Sequence, residues 1–240
     1  MLPSQISALA ESIAWMLCSH AAHGISTDSL KGIGEITLRD ALVVAAASIG
    51  AKQKRAWLLS REIEPDEWSD AAVDLIIYRV SAAAETLVGG TELKWWRQAD
   101  IRNSSNRRTH LVKDFVRAAA LYNMSESFAF VALLSTKDSW VATTDTRGGD
   151  KPVMDKIKST GSELWSLNQL SACPSVRATV KALQGKVPIA SSFRTKLAAS
   201  CSLSDTHGSL CSARVWEVSK VRNSHWIEDP NELAKYTASA

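Results

Sequence analysis

The chain has 240 residues, of which 45% are hydrophobic and 22% charged, and its formal net charge is +3. This ordinary globular composition excludes a disordered or fibrous chain. The mild positive charge is compatible with a polyanionic partner without requiring one. The most apolar window, "DALVVAAASIGA", is too short and too rich in alanine to span a bilayer.

The four cysteines are scattered, contain no C-x-x-C pair and follow no recognisable secretory signal peptide. We therefore expect reduced thiols in a cytoplasmic protein. Hydrophobic spacing predicts an amphipathic helix over residues 4–20. A second helix is predicted to start near Thr37, a candidate N-cap, and to run to about Gly50.

Three strands are predicted next, in "AWLLSREIEP", "VDLIIYRV" and "ETLVGGTELKWW". Gly89 and Gly90 interrupt the third strand, which indicates a bulge or a bend. The segment "NRRTHLVKDFVRAAALYN" has an apolar stripe of helical spacing, and "SFAFVALLS" is typical of a fully buried strand. The rest of the chain is predicted to form a loop over 142–152, helices over 153–170 and 175–184, and two or three further strands.

We expect a single α/β domain over residues 1–240 with a central mixed sheet flanked by helices. The helix after the third strand would cross over to a parallel fourth strand. Four of the nine tryptophans are predicted to lie in the core: Trp15, Trp57, Trp165 and Trp216.

The stretch "TELKWW" carries the strongest functional signal. Glu92 and Lys94 are two residues apart, so on a strand they share one face. Asp74 opens the preceding apolar strand, where a carboxylate is costly to desolvate unless it is paired or binds a metal. If these two strands pair as an antiparallel hairpin, the three charged groups converge at one end of the sheet.

These residue types suit metal-assisted phosphodiester hydrolysis. Two carboxylates offer hard oxygen ligands to magnesium, which takes few protein ligands and keeps several waters. A bound metal polarises the scissile phosphate and lowers the pKa of a coordinated water. A neighbouring lysine can orient or help deprotonate that water, or stabilise the charge that develops on phosphorus.

Asp74, "TELKWW" and the following "RRTHLVKDFVRAAAL" helix resemble the PD-(D/E)xK nuclease superfamily, the restriction-endonuclease-like fold. The resemblance implies an α-β-β-β-α-β core over about 35–135, with a helical N-terminal elaboration over 1–30 and a C-terminal, strand-containing extension over 136–240. It assigns Asp74 and Glu92 to the metal and Lys94 to catalysis. Glu35, in "GIGEITLRD", fits the position of an additional metal-binding, catalytic glutamate. Val73 stands where the family pattern has proline, which makes the match less specific.

The resemblance further implies a magnesium-dependent endonuclease, with manganese able to substitute, that hydrolyses DNA. It favours a homodimer and a role in restriction or defence. From Glu92 to Arg117 there are seven basic and three acidic residues, a local charge of +4. Basic residues beside a metal site suit phosphate contacts. The predicted nucleic-acid-binding residues are Arg97, Arg102, Arg107, Arg108 and Lys113.

Each of these features also has an ordinary structural interpretation. Glu92 and Lys94 could form a solvent-exposed salt bridge on an edge strand. Asp74 could cap a strand end, and Glu35 could complement a helix dipole. The "RNSSNRR" run could be a solvated loop. For the whole chain the alternatives are a non-catalytic nucleic-acid-binding or accessory subunit, as in a defence or mobile-element system, and an unrelated α/β protein.

Overall fold

The computed structural model describes residues 1–52, 57–66, 68–82, 84–97, 103–125, 127–206 and 208–228, together with 232, 234 and 236. Its helices are α1 (Pro3–Ser26), α2 (Glu35–Lys52), α3 (Ser104–Met124), α4 (Lys137–Thr144), α5 (Lys151–Lys158) and α6 (Pro174–Leu183). Its strands are β1 (Trp57–Ser60), β2 (Leu75–Val80), β3 (Glu85–Trp96), β4 (Phe128–Thr136), β5 (Ser162–Ser166), β6 (Ser192–Asp205) and β7 (Gly208–Lys220).

All seven strands form one mixed sheet in the order β1-β2-β3-β4-β7-β6-β5. β3 and β4 are parallel, and every other neighbouring pair is antiparallel. The α/β class and the central mixed sheet are therefore confirmed. From α2 to β4 the elements follow the predicted order α-β-β-β-α-β. The C-terminal strands β7, β6 and β5 widen this same sheet beyond β4.

The sheet is covered on both faces, which explains the continuous apolar sequence of β4. Alternate residues of β4 point to opposite sides, so Phe130 packs in the layer of α1 and α2 while Val131 packs in the layer of α3. β4 is buried from Phe128 to Ser135. The predicted buried strand is thus confirmed, and it forms the centre of the fold.

The two glycines of β3 mark a bulge, as predicted. Gly89 pairs with Ile77 and Leu87 pairs with Tyr78, so Val88 is an extra residue on β3. A Cβ on Gly89 would clash with the carbonyl oxygen of Phe128. The same atom on Gly90 would lie 2.6 Å from the carbonyl oxygen of Leu75. Close backbone neighbours on both sides of β3 therefore require residues without side chains here.

Several predicted boundaries were wrong. The helix predicted over 153–170 ends at Lys158, and β5 follows, because Trp165 is buried against Phe115 of α3 with 5.2 Å between ring centroids. The loop predicted over 142–152 is shorter, since α4 extends to Thr144 and α5 begins at Lys151. Helix α2 begins at Glu35, before Thr37.

The predicted tryptophan core is confirmed for Trp165 and Trp216, which are fully buried, whereas Trp57 is half-buried. Trp15 was wrongly predicted as core, because it lies on the outer side of α1 and is 68% exposed. The four cysteines are free thiols. Within the described residues, none of the helices combines the length and the apolar character needed to cross a membrane.

Candidate functional site

Asp74 and Glu92 lie opposite each other on neighbouring strands. Leu75, the first residue of β2, pairs with Thr91 of β3, so Asp74 is one step beyond the end of this ladder and faces Glu92. Both residues are buried, Glu92 completely. β3 lies between β2 and β4 in the sheet. The interpretation of Glu92 and Lys94 as a solvent-exposed pair on an edge strand is therefore wrong.

The Asp74 carboxylate is held by two donors. Its Oδ1 accepts a hydrogen bond of 2.6 Å from Arg39 Nε, and its Oδ2 accepts one of 2.7 Å from the backbone N–H of Leu93. Arg39 also forms a 2.8 Å ion pair with Glu62. Burial alone would lower the pKa of Arg39, but the Asp74 carboxylate raises it above its ordinary value. Asp74 thus joins α2 to the end of the β2–β3 hairpin.

The Glu92 carboxylate is buried beside the guanidinium of Arg117. Arg117 Nη2 lies 2.9 Å from Glu92 Oε1, but the same nitrogen donates to the carbonyl of Ala72. Within the described part of the chain, neither Glu92 oxygen has a hydrogen-bond donor. Burial raises the pKa of Glu92 to about 8, although Arg117 opposes this shift. The fold therefore favours the protonated form of Glu92 more strongly than water does.

Lys94 is held at the rim of the site by a buried aspartate. Its Nζ lies 3.4 Å from Asp114 Oδ2 and donates to the carbonyl of Leu93 at 3.0 Å. Burial would lower the pKa of Lys94, but Asp114 and Asp74 raise it above its ordinary value. The pKa of Asp114 is itself raised to about 6 by burial, against the effect of Lys94 and Arg117. The Lys94 side chain remains 20% exposed.

Glu35 approaches the same place from the other side of the sheet. It lies in the first turn of α2, and its Oε1 accepts a 3.4 Å hydrogen bond from the backbone N–H of Trp95. Its negative charge contributes to the raised pKa of both Lys94 and Arg39. The structure thus brings all four predicted catalytic residues to one end of β3. We refer to these four and their partners as the β3 charged cluster: Glu35, Arg39, Asp74, Glu92, Lys94, Asp114 and Arg117.

Three members of this cluster were not predicted as site residues, although each leaves a signal in the sequence. Arg39 follows Glu35 by four residues, a spacing that places both on one side of α2. Asp114 follows Leu111 by three residues and therefore lies on the buried stripe of α3. Arg117 follows Asp114 by a further three residues. A charged residue on an otherwise apolar stripe indicates a partner in the interior.

The cluster contains oxygen donors that suit magnesium. Among the described residues, no group of three or more acidic, histidine or cysteine side chains is arranged to hold a metal ion. Arg39, Lys94 and Arg117 instead lie beside the three buried carboxyl groups of the cluster, those of Asp74, Glu92 and Asp114. Magnesium, however, needs only one or two protein carboxylates. The buried Glu92 oxygens without a hydrogen-bond donor, beside Asp74, fit such a cation, and Glu35 is within the same electrostatic environment.

The predicted phosphate-binding residues occupy different environments. Arg108 Nε lies 3.0 Å from Asp150 Oδ2, and Arg108 Nη1 donates to the carbonyl of Thr143. This buried ion pair links α3 to the start of α5, so the Arg108 guanidinium already has an acidic partner within the protein. Arg97 is exposed after β3, whereas Arg107 and Lys113 are half-buried on α3. Arg102 lies outside the described residues.

The loop interpretation of "RNSSNRR" is wrong from Ser104 onward, because α3 begins there and includes Arg107 and Arg108.

Comparisons of the chain with family models, with curated proteins and with solved structures gave no match. Any functional assignment therefore depends on the α/β architecture and on the geometry of the β3 charged cluster.

Proposed function

We propose that the protein is a magnesium-dependent endonuclease of the restriction-endonuclease-like class that hydrolyses DNA. The observation that carries this proposal is the Glu92 carboxylate, completely buried beside Asp74 and Lys94 with neither oxygen hydrogen-bonded to a described residue. The strand pairing supports it as well. Three antiparallel strands are followed by a helix and a parallel fourth strand, as that class requires.

In this proposal Asp74 and Glu92 hold the metal and Glu35 assists them. The metal would polarise the scissile phosphate and lower the pKa of a bound water. Lys94 keeps its proton at neutral pH, because Asp114 and Asp74 raise its pKa. We therefore assign it to stabilising negative charge on the phosphate in the transition state, and not to deprotonating the water. Asp114 is a positioning residue that holds the Lys94 ammonium.

The test is cleavage of plasmid DNA with magnesium or manganese. Wild type is expected to cut, and Asp74→Ala, Glu92→Gln and Lys94→Ala are each expected to lose about 100-fold or more of the rate. Asp155→Ala is the matched control, since Asp155 is exposed on α5. Circular dichroism of each variant would establish that it folds. Undiminished cleavage by folded Asp74→Ala and Lys94→Ala would reject the assigned site.

A second candidate is a non-catalytic DNA-binding subunit, such as the accessory component of a defence or mobile-element system. The observation that favours it is the charge balance of the cluster, in which Arg39 and the Leu93 N–H occupy both oxygens of Asp74. Such a protein would bind DNA without metal and would not cut it with metal. Binding that is unchanged by Glu92→Gln, together with the absence of cleavage, would favour this candidate.

The proposed endonuclease would cut both strands of a duplex as a two-fold homodimer, in keeping with a role in restriction or defence. Light scattering coupled to size-exclusion chromatography, with and without duplex DNA, measures this directly. A protein mass of 26.1 kDa under both conditions, after the mass of the bound duplex is subtracted, would contradict the dimer. It would leave the proposed chemistry of one site intact.

A further inference from the structure

A polar pocket lies on the same face of the sheet as Glu92 and Lys94. Its floor is formed by β6 and β7 and its wall by α4 and the segment that leaves α5, and its volume is about 380 Å³. We call it the Arg214 pocket, after the cation at its centre. Its lining residues are Trp140, Ile157, Lys158, Ser159, Thr160, Leu197, Ser200, Ser202, Ser212 and Arg214.

The strand register fixes its distance from the β3 charged cluster. Lys94 pairs with Leu133 of β4, and Leu133 pairs with Arg214 of β7, so Lys94 and Arg214 stand in one row across the sheet. Two interstrand spacings separate them, which is about 10 Å. The ring of Trp96, two residues after Lys94 on β3, lies 6.2 Å from that of Trp140.

A β-bulge in β6 brings serine hydroxyls into the pocket. Leu197 pairs with Trp216, whereas Ala199 pairs with Val215, so β6 advances two residues while β7 advances one. The extra residue reverses which side chains face the pocket. As a result Ser200 and Ser202 line the pocket together with Leu197.

Arg214 is a half-buried cation without an acidic partner. Its guanidinium carbon lies 3.6 Å from the centre of the Trp140 ring. Its Nη1 donates to Ser212 Oγ at 2.6 Å and to Ser135 Oγ at 3.3 Å. No carboxylate lines the pocket, and none of the described residues forms an ion pair with Arg214. Burial lowers the pKa of Arg214 to about 10, so it is still charged at neutral pH.

We propose that the Arg214 pocket binds a phosphate group of a nucleic-acid strand. Phosphate oxygens accept hydrogen bonds, and this pocket offers the planar guanidinium of Arg214 and five hydroxyl groups, with no carboxylate in its lining. The ammonium of Lys158 also lines the pocket, 4.0 Å from Asp155 Oδ1 outside it. The link to a strand rests on the proposed function, because the backbones at Lys94 and Arg214 are about 10 Å apart, close enough for one strand to reach both places. The binding of phosphate by itself does not depend on that function.

The experiment measures binding without cleavage. Calorimetric titrations with inorganic phosphate, and with a short single-stranded oligonucleotide, are carried out in EDTA. Ser200→Asp places a carboxylate at an exposed position of the pocket rim without removing buried atoms. It is expected to weaken both titrations at least 10-fold. Ser81→Asp is the matched control, because Ser81 is exposed on the turn between β2 and β3, at the opposite end of β3 from Lys94.

A second variant tests the cation itself. Arg214→Gln should weaken phosphate binding and should reduce the slope of log affinity against log salt for the oligonucleotide by about 0.7, the value of one phosphate contact on a single strand. Arg194→Gln, on an exposed position of β6, should change neither. Thermal melting of each variant separates loss of binding from loss of fold.

The outcomes separate this pocket from the proposed nuclease. Loss of phosphate binding in Ser200→Asp, in a protein that does not cut DNA, would support the pocket and reject only the nuclease. Equal phosphate and oligonucleotide affinities in wild type, Ser200→Asp and folded Arg214→Gln would overturn the pocket, whether or not the protein cuts DNA.

Discussion

Arg117 and Arg214 lie on the same side of one sheet, yet their surroundings are opposite. Arg117 lies 2.9 Å from Glu92 and 3.7 Å from Asp114. Arg214 lies over the ring of Trp140 and donates to serine hydroxyls. Burial opposes the charge of both, but the two carboxylates raise the pKa of Arg117 whereas the pKa of Arg214 is lowered. A buried cation with acidic partners holds a charge network together, and one without such partners is available to an anion from outside.

The largest expected effect follows from removing Arg117. Arg117→Met leaves the buried Glu92 without its principal cation and removes one of the two cations beside Asp114. The expected loss in the free energy of unfolding is about 3–5 kcal/mol. Urea denaturation measures it. The double variant Glu92→Gln/Arg117→Met should recover much of this loss, because a buried amide does not require a neighbouring cation. A loss below about 1 kcal/mol, as for an exposed ion pair, would contradict the buried network.

The next largest effect is a pH dependence of the free energy of unfolding, which arises from Glu92 beside Arg117 and has no counterpart in the Arg214 pocket, whose lining contains no carboxylate. The pKa of Glu92 is raised from 4.5 to about 8, so the folded protein binds a proton that the unfolded chain has released. The stabilising contribution of Glu92 is therefore complete below pH 4.5 and is lost as the pH rises through 8, by at most about 1.4 kcal/mol per pH unit.

Denaturation of wild type and Glu92→Gln at several pH values between about 5 and 8 tests this sign. Asp114, with a pKa raised from 3.8 to about 6, contributes in the same direction at the acid end of that range. The difference in unfolding free energy between the two proteins should change steadily up to about pH 8. A constant difference would show that Glu92 is ionised in the fold.

Removing Arg214 is expected to cost less than removing Arg117. Arg214→Met leaves no carboxylate unpaired, and only the contact with Trp140 and the hydrogen bonds to Ser212 and Ser135 are lost. The expected loss is about 1–2 kcal/mol. Urea denaturation of Arg117→Met and Arg214→Met under identical conditions measures the difference. If the two variants lost equal free energy of unfolding, the proposed difference between a paired Arg117 and an unpaired Arg214 would be contradicted.

The smallest expected effect concerns Lys113, a half-buried residue of α3. Burial and the nearby Arg117 lower its pKa, which indicates a crowded positive region that suits a polyanion. Lys113→Gln should reduce the salt dependence of metal-free DNA binding by about one phosphate contact, a slope change of about 0.7–0.9. Lys52→Gln, on the exposed end of α2, is the control. Fluorescence anisotropy at several salt concentrations gives both slopes.

Local patterns in the sequence were sufficient to predict the elements at the centre of the sheet. The apolar run of β4 and the stripe of α3 have unambiguous periodicity, and both elements lie where they were predicted. The alternation in "TELKWW" places Glu92 and Lys94 on one face of β3, since side chains on a strand alternate. The opposite position of Asp74 required only that β2 and β3 pair as a hairpin.

The tertiary structure decided which charges are paired. Arg39 and Asp74 are 35 residues apart, and they meet because α2 packs against the end of β3. β5 replaced a predicted helix because Trp165 is buried against α3. The Arg214 pocket combines β6, β7, α4 and the end of α5, so no local pattern contains it. Periodicity determines which face a side chain occupies, whereas long-range packing determines what that face meets.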